Sequence, residues 1–266
     1  MTRRPFALCL TLALLAAACA GPATSTAPTA APGSTTAPEA GEPAVVRIGW
    51  AGSPDSLNPG VGVLTEAYTT YSLVYDTLYE YQLDGTYKLD LAESAEASAD
   101  GKTWTFKIRS GVTFHDGQPV TARDVAFSLN LYKAHEDFPY LNSYTYNFES
   151  ITAPDDATVV LTLTEAVPNL DYLVSYLYIL PEHLWQGHTE GPAAAEFENA
   201  AMVGTGPFTL KEYRQNEFVH LVANKGHYQD PPKVDEVIFR TFANQDALVQ
   251  ALKTGQVDMI TEMPTT

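Results

Sequence analysis

The sequence predicts a mixed α/β (α+β) fold, on three observations. Hairpin-patterned strand pairs recur along the chain, capped helical stretches stand between them, and Gly, Pro, Asn and Asp turn signals separate the two at short intervals. A plain all-β sandwich would not carry the helical stretches. Val45–Trp50 is a mainly apolar run suited to a buried strand, ended by Ser53-Pro54-Asp55-Ser56-Leu57-Asn58-Pro59. Thr65–Leu78 has helical apolar spacing, with Tyr68, Tyr71, Val74, Tyr75 and Leu78 on or near one face. Thr103–Ile108 alternates around Trp104, Phe106 and Ile108 after the Asp100-Gly101 turn. Thr121 stands where it can cap a helix that carries Val125, Leu129 and Tyr132 on one stripe. Thr158–Leu163 reads as another strand. Phe208–Tyr213 and Phe218–Val222 bracket Gln215-Asn216 as a hairpin, Val237–Phe242 gives a further strand, and Asp246–Lys253 forms a helix closed by Gly255.

Ahead of this globular part lies a different kind of sequence. Arg3 and Arg4 precede a mostly apolar run from Phe6 to Leu15, too short to span a membrane stably, and Ala16-Ala17-Ala18 then precede Cys19. Residues 1–18 read as a lipoprotein signal peptide, and Cys19 as the residue that becomes lipidated. The only other cysteine, Cys9, lies in the segment to be removed, so no disulfide and no cysteine metal site is expected. From Cys19 to residue 44 the composition is dominated by Ala, Pro, Thr, Ser and Gly, too poor in apolar surface to offset the ordering of the backbone. It reads as a disordered tether, reaching roughly 75 Å if extended at ~3.1 Å per residue.

The formal charge is −17, and losing Arg3 and Arg4 with the leader takes it two lower, to −19. Such a surface repels nucleic acid and anionic lipid, so no nucleic-acid partner is expected and the lipid is the only expected membrane attachment. The six histidines are scattered without ligand spacing, and His115 beside Asp116 reads as a turn with a satisfied ring. There is no G-x-S-x-G, P-loop or G-x-G-x-x-G, and Pro207 ends Gly204-Thr205-Gly206 where a dinucleotide loop would run into a helix. No catalytic residue, cofactor or metal is therefore assigned. A secreted hydrolase stays open as an alternative, because a sequence does not place two carboxylates at a working separation.

The order of several segments is more specific than any of them singly. Leu91-Ala92-Glu93-Ser94, then Asp100-Gly101-Lys102-Thr103-Trp104-Thr105-Phe106-Lys107-Ile108-Arg109, then Gly111-Val112-Thr113-Phe114-His115-Asp116-Gly117 and Thr121-Ala122-Arg123-Asp124-Val125 resemble the signature stretch of the extracytoplasmic solute-binding proteins, family 5, of peptide and nickel ABC importers. Pro154-Asp155-Asp156, Pro181-Glu182-His183-Leu184-Trp185, Gly204-Thr205-Gly206-Pro207-Phe208 and Gly255-Gln256-Val257-Asp258 follow in the family's order. The resemblance implies a type II periplasmic-binding-protein-like lobe. It places lobe I at residues 45–78 and 201–266 and an inserted subdomain at 79–200. The sequence stops shortly after Val257-Asp258-Met259, where the family crosses into its second lobe, so that lobe is expected to be missing and half a clamp to hold solute weakly.

The same resemblance implies a monomeric, lipid-anchored, extracytoplasmic receptor that hands a small solute, a di- or oligopeptide, to ABC permease subunits. A nickel-chelate or oligosaccharide receptor of the same family, and a truncated product without a transport role, stay open, because the lobe that would distinguish the ligands is not in the sequence. Carried over by position, the cleft candidates are Val63, Leu64 and Thr65 after the first strand, and Tyr140, Tyr144 and Tyr146 after the capped helix. Gly204, Thr205 and Gly206, where the chain returns to lobe I, complete the set; a surface tyrosine cluster and a closely packed hinge are the plain structural alternative. The anchor has a direct test. Two or three acyl chains hold a protein stably on a bilayer, so Cys19→Ser should move the chain from the membrane to the soluble fraction, and a variant that still sediments with membranes would overturn the lipoprotein reading.

Overall fold

The computed structural model of the protein describes residues 41–261. The leader 1–18, Cys19 and the tether up to residue 40 lie outside the described residues. The first strand, β1 (Val45–Trp50), is followed by α1 (Thr65–Val74) and the small hairpin β2 (Tyr79–Tyr81) and β3 (Tyr87–Leu89). Next come β4 (Ala92–Ala97), β5 (Thr103–Ile108), α2 (Ala122–Ala134), β6 (Phe148–Asp155) and β7 (Thr158–Leu163). Three short helices, α3 (Leu170–Val174), α4 (Glu182–Trp185) and α5 (Ala193–Glu196), lead to β8 (Phe208–Arg214) and β9 (Phe218–Ala223). The described chain closes with β10 (Glu236–Thr241), α6 (Gln245–Lys253) and β11 (Met259–Ile260).

Two main sheets result. One has the order β11-β1-β10-β9-β8, with β1 parallel to both β10 and β11 and the β8–β9 hairpin antiparallel to β10. The other is wholly antiparallel, β4-β5-β7-β6, with α2 packed on β6 and β7. The first sheet thus takes strands from both ends of the described chain, and the second is built from the stretch between them.

Strand alternation decides what each face meets. Trp50 stacks on Phe239 at 4.5 Å and joins the main core, whereas Gly49 faces Leu248, Phe242 and Val257, so α6 covers that side. A side chain at Gly49 would meet the Leu248 methyl at 2.5 Å. In the second sheet Phe106, Val159 and Leu161 are fully buried, as are Val125, Leu129 and Tyr132 of α2. α2 begins at a reciprocal cap: the Asp124 carboxylate accepts from both the amide and the hydroxyl of Thr121 at 2.9 Å. Its other oxygen accepts from the Glu182 amide at 3.1 Å, tying α4 to the same end.

Three sequence expectations change. The helix expected over 65–78 ends at Val74, because Tyr75 is already extended and the next residues turn to meet another segment, although Leu78 is still fully buried. The hairpin 79–89 and the strands β4, β6 and β11 carry no strand signal in the sequence, being short, polar or too irregular to alternate. Trp104, which its place in that alternation reads as a core anchor, packs beside the core half-buried, and Phe106 is the buried anchor of the strand.

The segment that meets the end of α1 is Gly204-Thr205-Gly206. Its Gly206 amide donates to the Val74 carbonyl at 2.9 Å, and the Asp76 amide donates to the Thr205 hydroxyl at 3.4 Å. His115 closes the arrangement: its amide donates to the Gly204 carbonyl at 2.8 Å, and its ring nitrogens meet the Gly206 carbonyl at 3.0 Å and the Gly204 amide at 3.3 Å. A Cβ on Gly204 would fall 2.0 Å from the Val74 oxygen, a backbone atom that cannot swing aside. Gly187 has open space around it. Chemical denaturation should therefore show Gly204→Ala losing at least about 1–3 kcal/mol, the usual cost of overpacking, and Gly187→Ala unchanged or up to about 1 kcal/mol more stable; equal stabilities would refute the close-packing argument.

Candidate functional site

A groove of about 510 Å³ runs beside α1. One wall is the helix itself, through Thr65, Tyr68, Thr69 and Ser72, and the other is Tyr176 and Tyr178 from the turn after α3. Glu80 and Tyr81 of the small hairpin close one side. The floor is Asp76, Asp90 and His227. The helix presents this row because its opposite face is committed to the core, where Ala67, Tyr71 and Val74 are fully buried.

The walls are a connected set of tyrosine rings. Tyr68 meets Tyr140 and Tyr178 at 6.4 Å, Tyr75 meets Tyr178 at 6.0 Å, and Tyr144 stacks flat on Tyr176 at 5.1 Å. Burial pushes the Tyr68 phenol up to about 12, and burial likewise raises Tyr75, Tyr144 and Tyr178. These hydroxyls are therefore neutral hydrogen-bonding groups at any physiological pH. Rings of this kind offer apolar area with a polar tip, the usual lining of a binding groove.

The floor has the opposite character. Asp90, 4% exposed, accepts from the Tyr228 hydroxyl at 2.6 Å, the Gln229 amide at 2.5 Å and the Thr77 backbone amide at 3.3 Å. Even so its carboxyl is pushed up to about 7, first by burial and then by the nearby charge of Asp76. Asp76 lies two residues past the end of α1, and its backbone is held on both sides, by the Thr205 hydroxyl and by the Ile179 amide at 3.0 Å.

The candidates from sequence fall into three groups. Val63, Leu64 and Thr65 are exposed at the start of α1, where the amides of Val63 and Leu64 donate to the Asp55 carboxylate at 2.9 and 3.2 Å; Thr65 lines the groove. Tyr140 and Tyr144 join them through their contacts with Tyr68 and Tyr176, and Tyr140 is 49% exposed. Tyr146 stands apart, 85% exposed. Gly204, Thr205 and Gly206 are buried; the amides and carbonyls of Gly204 and Gly206 and the Thr205 hydroxyl are engaged by Val74, Asp76, His115 and Asn224, within the fold rather than at the cleft edge that the resemblance implies.

Sequence reasoning missed the floor. Asp76 and Asp90 each stand alone between apolar neighbours, Val74-Tyr75 and Leu78 for one, Leu89 and Leu91 for the other. A carboxylate in such a run is a signal that could have been followed. His227, in a polar stretch, carries no such signal.

Comparison with known proteins gives a consistent picture. Residues 86–266 match the model of the bacterial extracellular solute-binding proteins, family 5 middle region. The oligopeptide-binding protein AppA of Bacillus subtilis is 28% identical over 269 residues, covering 97% of this chain and 48% of AppA. Its solved structure in complex with a nonapeptide superimposes with a TM-score of 0.73 at 25% identity, over 81% of this chain and 44% of that one. The dipeptide-binding protein of Escherichia coli is 31% identical over 71% of this chain and 39% of its own length. The nickel-binding periplasmic protein of the same organism is 25% identical over 83% and 42%. The chain thus spans less than half the length of these relatives.

The acidic floor predicts a pH dependence of stability. A carboxyl held above its ordinary value of 3.8 keeps its proton in the folded chain where the unfolded chain has lost it. The stability it permits is full below that value and is lost as pH rises through about 7. Thermal unfolding of the full chain should show the midpoint falling between pH 5 and pH 8, and falling less in Asp90→Asn; parallel profiles would show that Asp90 does not titrate as described.

Proposed function

The chain belongs to family 5 of the bacterial extracellular solute-binding proteins, and from that membership we propose that it is the solute receptor of an ABC importer, with di- or oligopeptides as its solute. The observation that carries this reading is the tyrosine-walled groove beside α1, in a chain 97% of which aligns with a protein described as oligopeptide-binding. Neutral phenols and ring faces accept many side chains without reading any one of them, which suits a solute bound mainly through its backbone. The start of α1, with Val63, Leu64 and Thr65, and the rings of Tyr140 and Tyr144 form the mouth through which the solute enters. The relatives named above are binding proteins, and the receptor role proposed here is likewise non-enzymatic.

In this proposal Cys19 carries the lipid that holds a monomeric receptor outside the cytoplasm, and residues 19–44 are its tether. Residues 45–78 and 201–266 form one lobe and residues 79–200 the subdomain inserted in it. Solute passes from the groove to permease subunits, the partners that the ABC setting of the family supplies. The strongly acidic surface keeps the receptor off anionic lipid head groups.

A thermal-shift screen of the full chain tests the ligand class, using short peptides, nickel–histidine chelates and oligosaccharides at millimolar concentration. Peptides of varied sequence should each raise the midpoint, by the equivalent of about 2.7 kcal/mol at a hundredfold excess over Kd, with little dependence on side chain. Stabilisation by nickel chelates alone or by sugars alone would overturn the peptide reading.

A further inference from the structure

The junction between Gly204-Thr205-Gly206 and the end of α1 is closed by a titratable ring. A carbonyl only accepts a hydrogen bond and a backbone amide only donates one, so the two partners of the His115 imidazole dictate its state. Nε2 carries the proton and donates to the Gly206 carbonyl at 3.0 Å, and the bare Nδ1 accepts from the Gly204 amide at 3.3 Å. The ring is therefore neutral and held in one tautomer. Gly204 is buried, and among the described residues its amide makes no other hydrogen bond.

A second proton would keep one of these bonds and break the other. Nε2 would go on donating to Gly206, which also accepts from the Asn224 side chain at 3.2 Å. Nδ1 would carry a hydrogen aimed at the Gly204 N–H, donor against donor, and would leave a buried amide without an acceptor. The charged and titratable groups around the ring come from three directions. Asp76 lies beyond the end of α1 and His227 beyond β9, while Asp116, on the same loop, is paired at 2.7 Å with His183 of α4. Burial holds His115 below its ordinary value of 6.5 and His227 adds to this, against the opposing pull of Asp76 and Asp116. The folded chain thus keeps the ring neutral where the unfolded chain protonates it. The contribution of this ring to stability is full above pH 6.5 and is lost as pH falls below it, opposite in sign to that of Asp90.

We propose that His115 is an acid-sensitive latch: its neutral ring holds Gly204-Thr205-Gly206 against the end of α1, and its protonation frees that segment. The same segment holds the turn under the groove, through the Gly206 amide on the Val74 carbonyl and the Thr205 hydroxyl on the Asp76 amide. Acid therefore loosens the groove from behind, by way of a residue that does not line it. His115 is in this sense a positioning residue. Only the consequence for solute, weaker binding in acid, rests on the receptor reading.

Because His115 and Asp90 act on global stability in opposite senses, the test is local. Nitrogen NMR of the full chain, with His115 assigned through its backbone, should find the Nε2–H tautomer at pH 7.5 and uptake of the second proton between pH 6.5 and pH 4.5. Over the same range the Gly204 and Gly206 amides should lose about tenfold or more of their protection against hydrogen exchange, after correction for the intrinsic rate. That is the effect of one buried donor left unsatisfied. A ring protonated on Nδ1 at pH 7.5, a ring still neutral at pH 4.5, or protection that stays level while the ring titrates would overturn the latch, and none of these readings needs a variant to fold. His115→Gln keeps an acceptor and a donor but does not titrate, so its Gly206 protection should stay level with pH; a fall equal to that of the unsubstituted protein would assign the effect to Asp76, Asp90 or His227 and overturn the latch. Calorimetry with trialanine reads the groove. Its Kd should rise about tenfold or more from pH 7.5 to pH 5 in the unsubstituted protein and by less in His115→Gln. Equal rises would overturn the link from latch to groove. Binding at neither pH would overturn the peptide reading, with the latch still decided by the amides.

Discussion

The approach of Gly204 and Gly206 to the last carbonyl of α1 is the constraint on which the rest of the arrangement depends. A Cβ at either position would come within 3 Å of Val74 backbone atoms, so the contact exists only because both residues are glycine. Through it the end of the first helix, the loop bearing His115 and the strand entry at Phe208 are pinned to one another. Three stretches far apart in sequence thereby share one backbone hydrogen-bond system. Because α1 is stopped at Val74, the chain turns there and carries Asp76 under the groove instead of round the helix to its buried face.

A second junction holds the other side of α1. The Asn58 side chain donates to the carbonyls of Ala194 and Phe197 at 2.8 and 2.9 Å, and Asn199 donates to the Leu57 carbonyl and the Tyr75 hydroxyl at 2.8 and 2.7 Å. These amides are buried and every bond spans more than a hundred residues of sequence, so each fixes relative position as well as satisfying a polar group. Tyr75, 2% exposed and held by Asn199, places its ring in the wall. At this part of the wall little side-chain freedom remains to be lost when something enters the groove.

Electrostatics then separate the groove into two parts with different work to do. The walls are phenols raised by burial and stay uncharged, so they contribute area and shape. The floor concentrates two carboxylates in a region where water screens them poorly, which is why Asp90 stays partly protonated near neutrality. A large negative surface charge is common to many exported proteins and says little about ligands. The buried carboxylate of Asp76 at the end of α1 is set apart from that surface charge and faces His227 at 3.5 Å.

Much of the scaffold was legible from residues alone. An apolar run marked β1, alternation and turn residues gave β5, β7 and the β8–β9 hairpin nearly to the residue, Thr121 marked the start of α2, and Gly255, in the left-handed region at φ +71, marked the end of α6. The collinear motifs from Leu91 to Asp258 named the family, because turn and cap residues at set spacings record a particular chain path. These are local properties: a strand's alternation or a helix's cap is written within ten residues. The groove is not local. Thr65, Asp76, Asp90, Tyr176 and His227 come from five stretches, and only the sheet order and the pinning of α1 bring them to one place. Whether a carboxylate or an imidazole is paired depends on what lies across that space, and the same holds for Gly204 and Gly206, whose amides and carbonyls are engaged inside the fold. The sequence by itself determined most of the elements and the family they belong to, and the tertiary structure alone decided which buried charges face one another, because pairing is set by distances between residues that no spacing along the chain encodes.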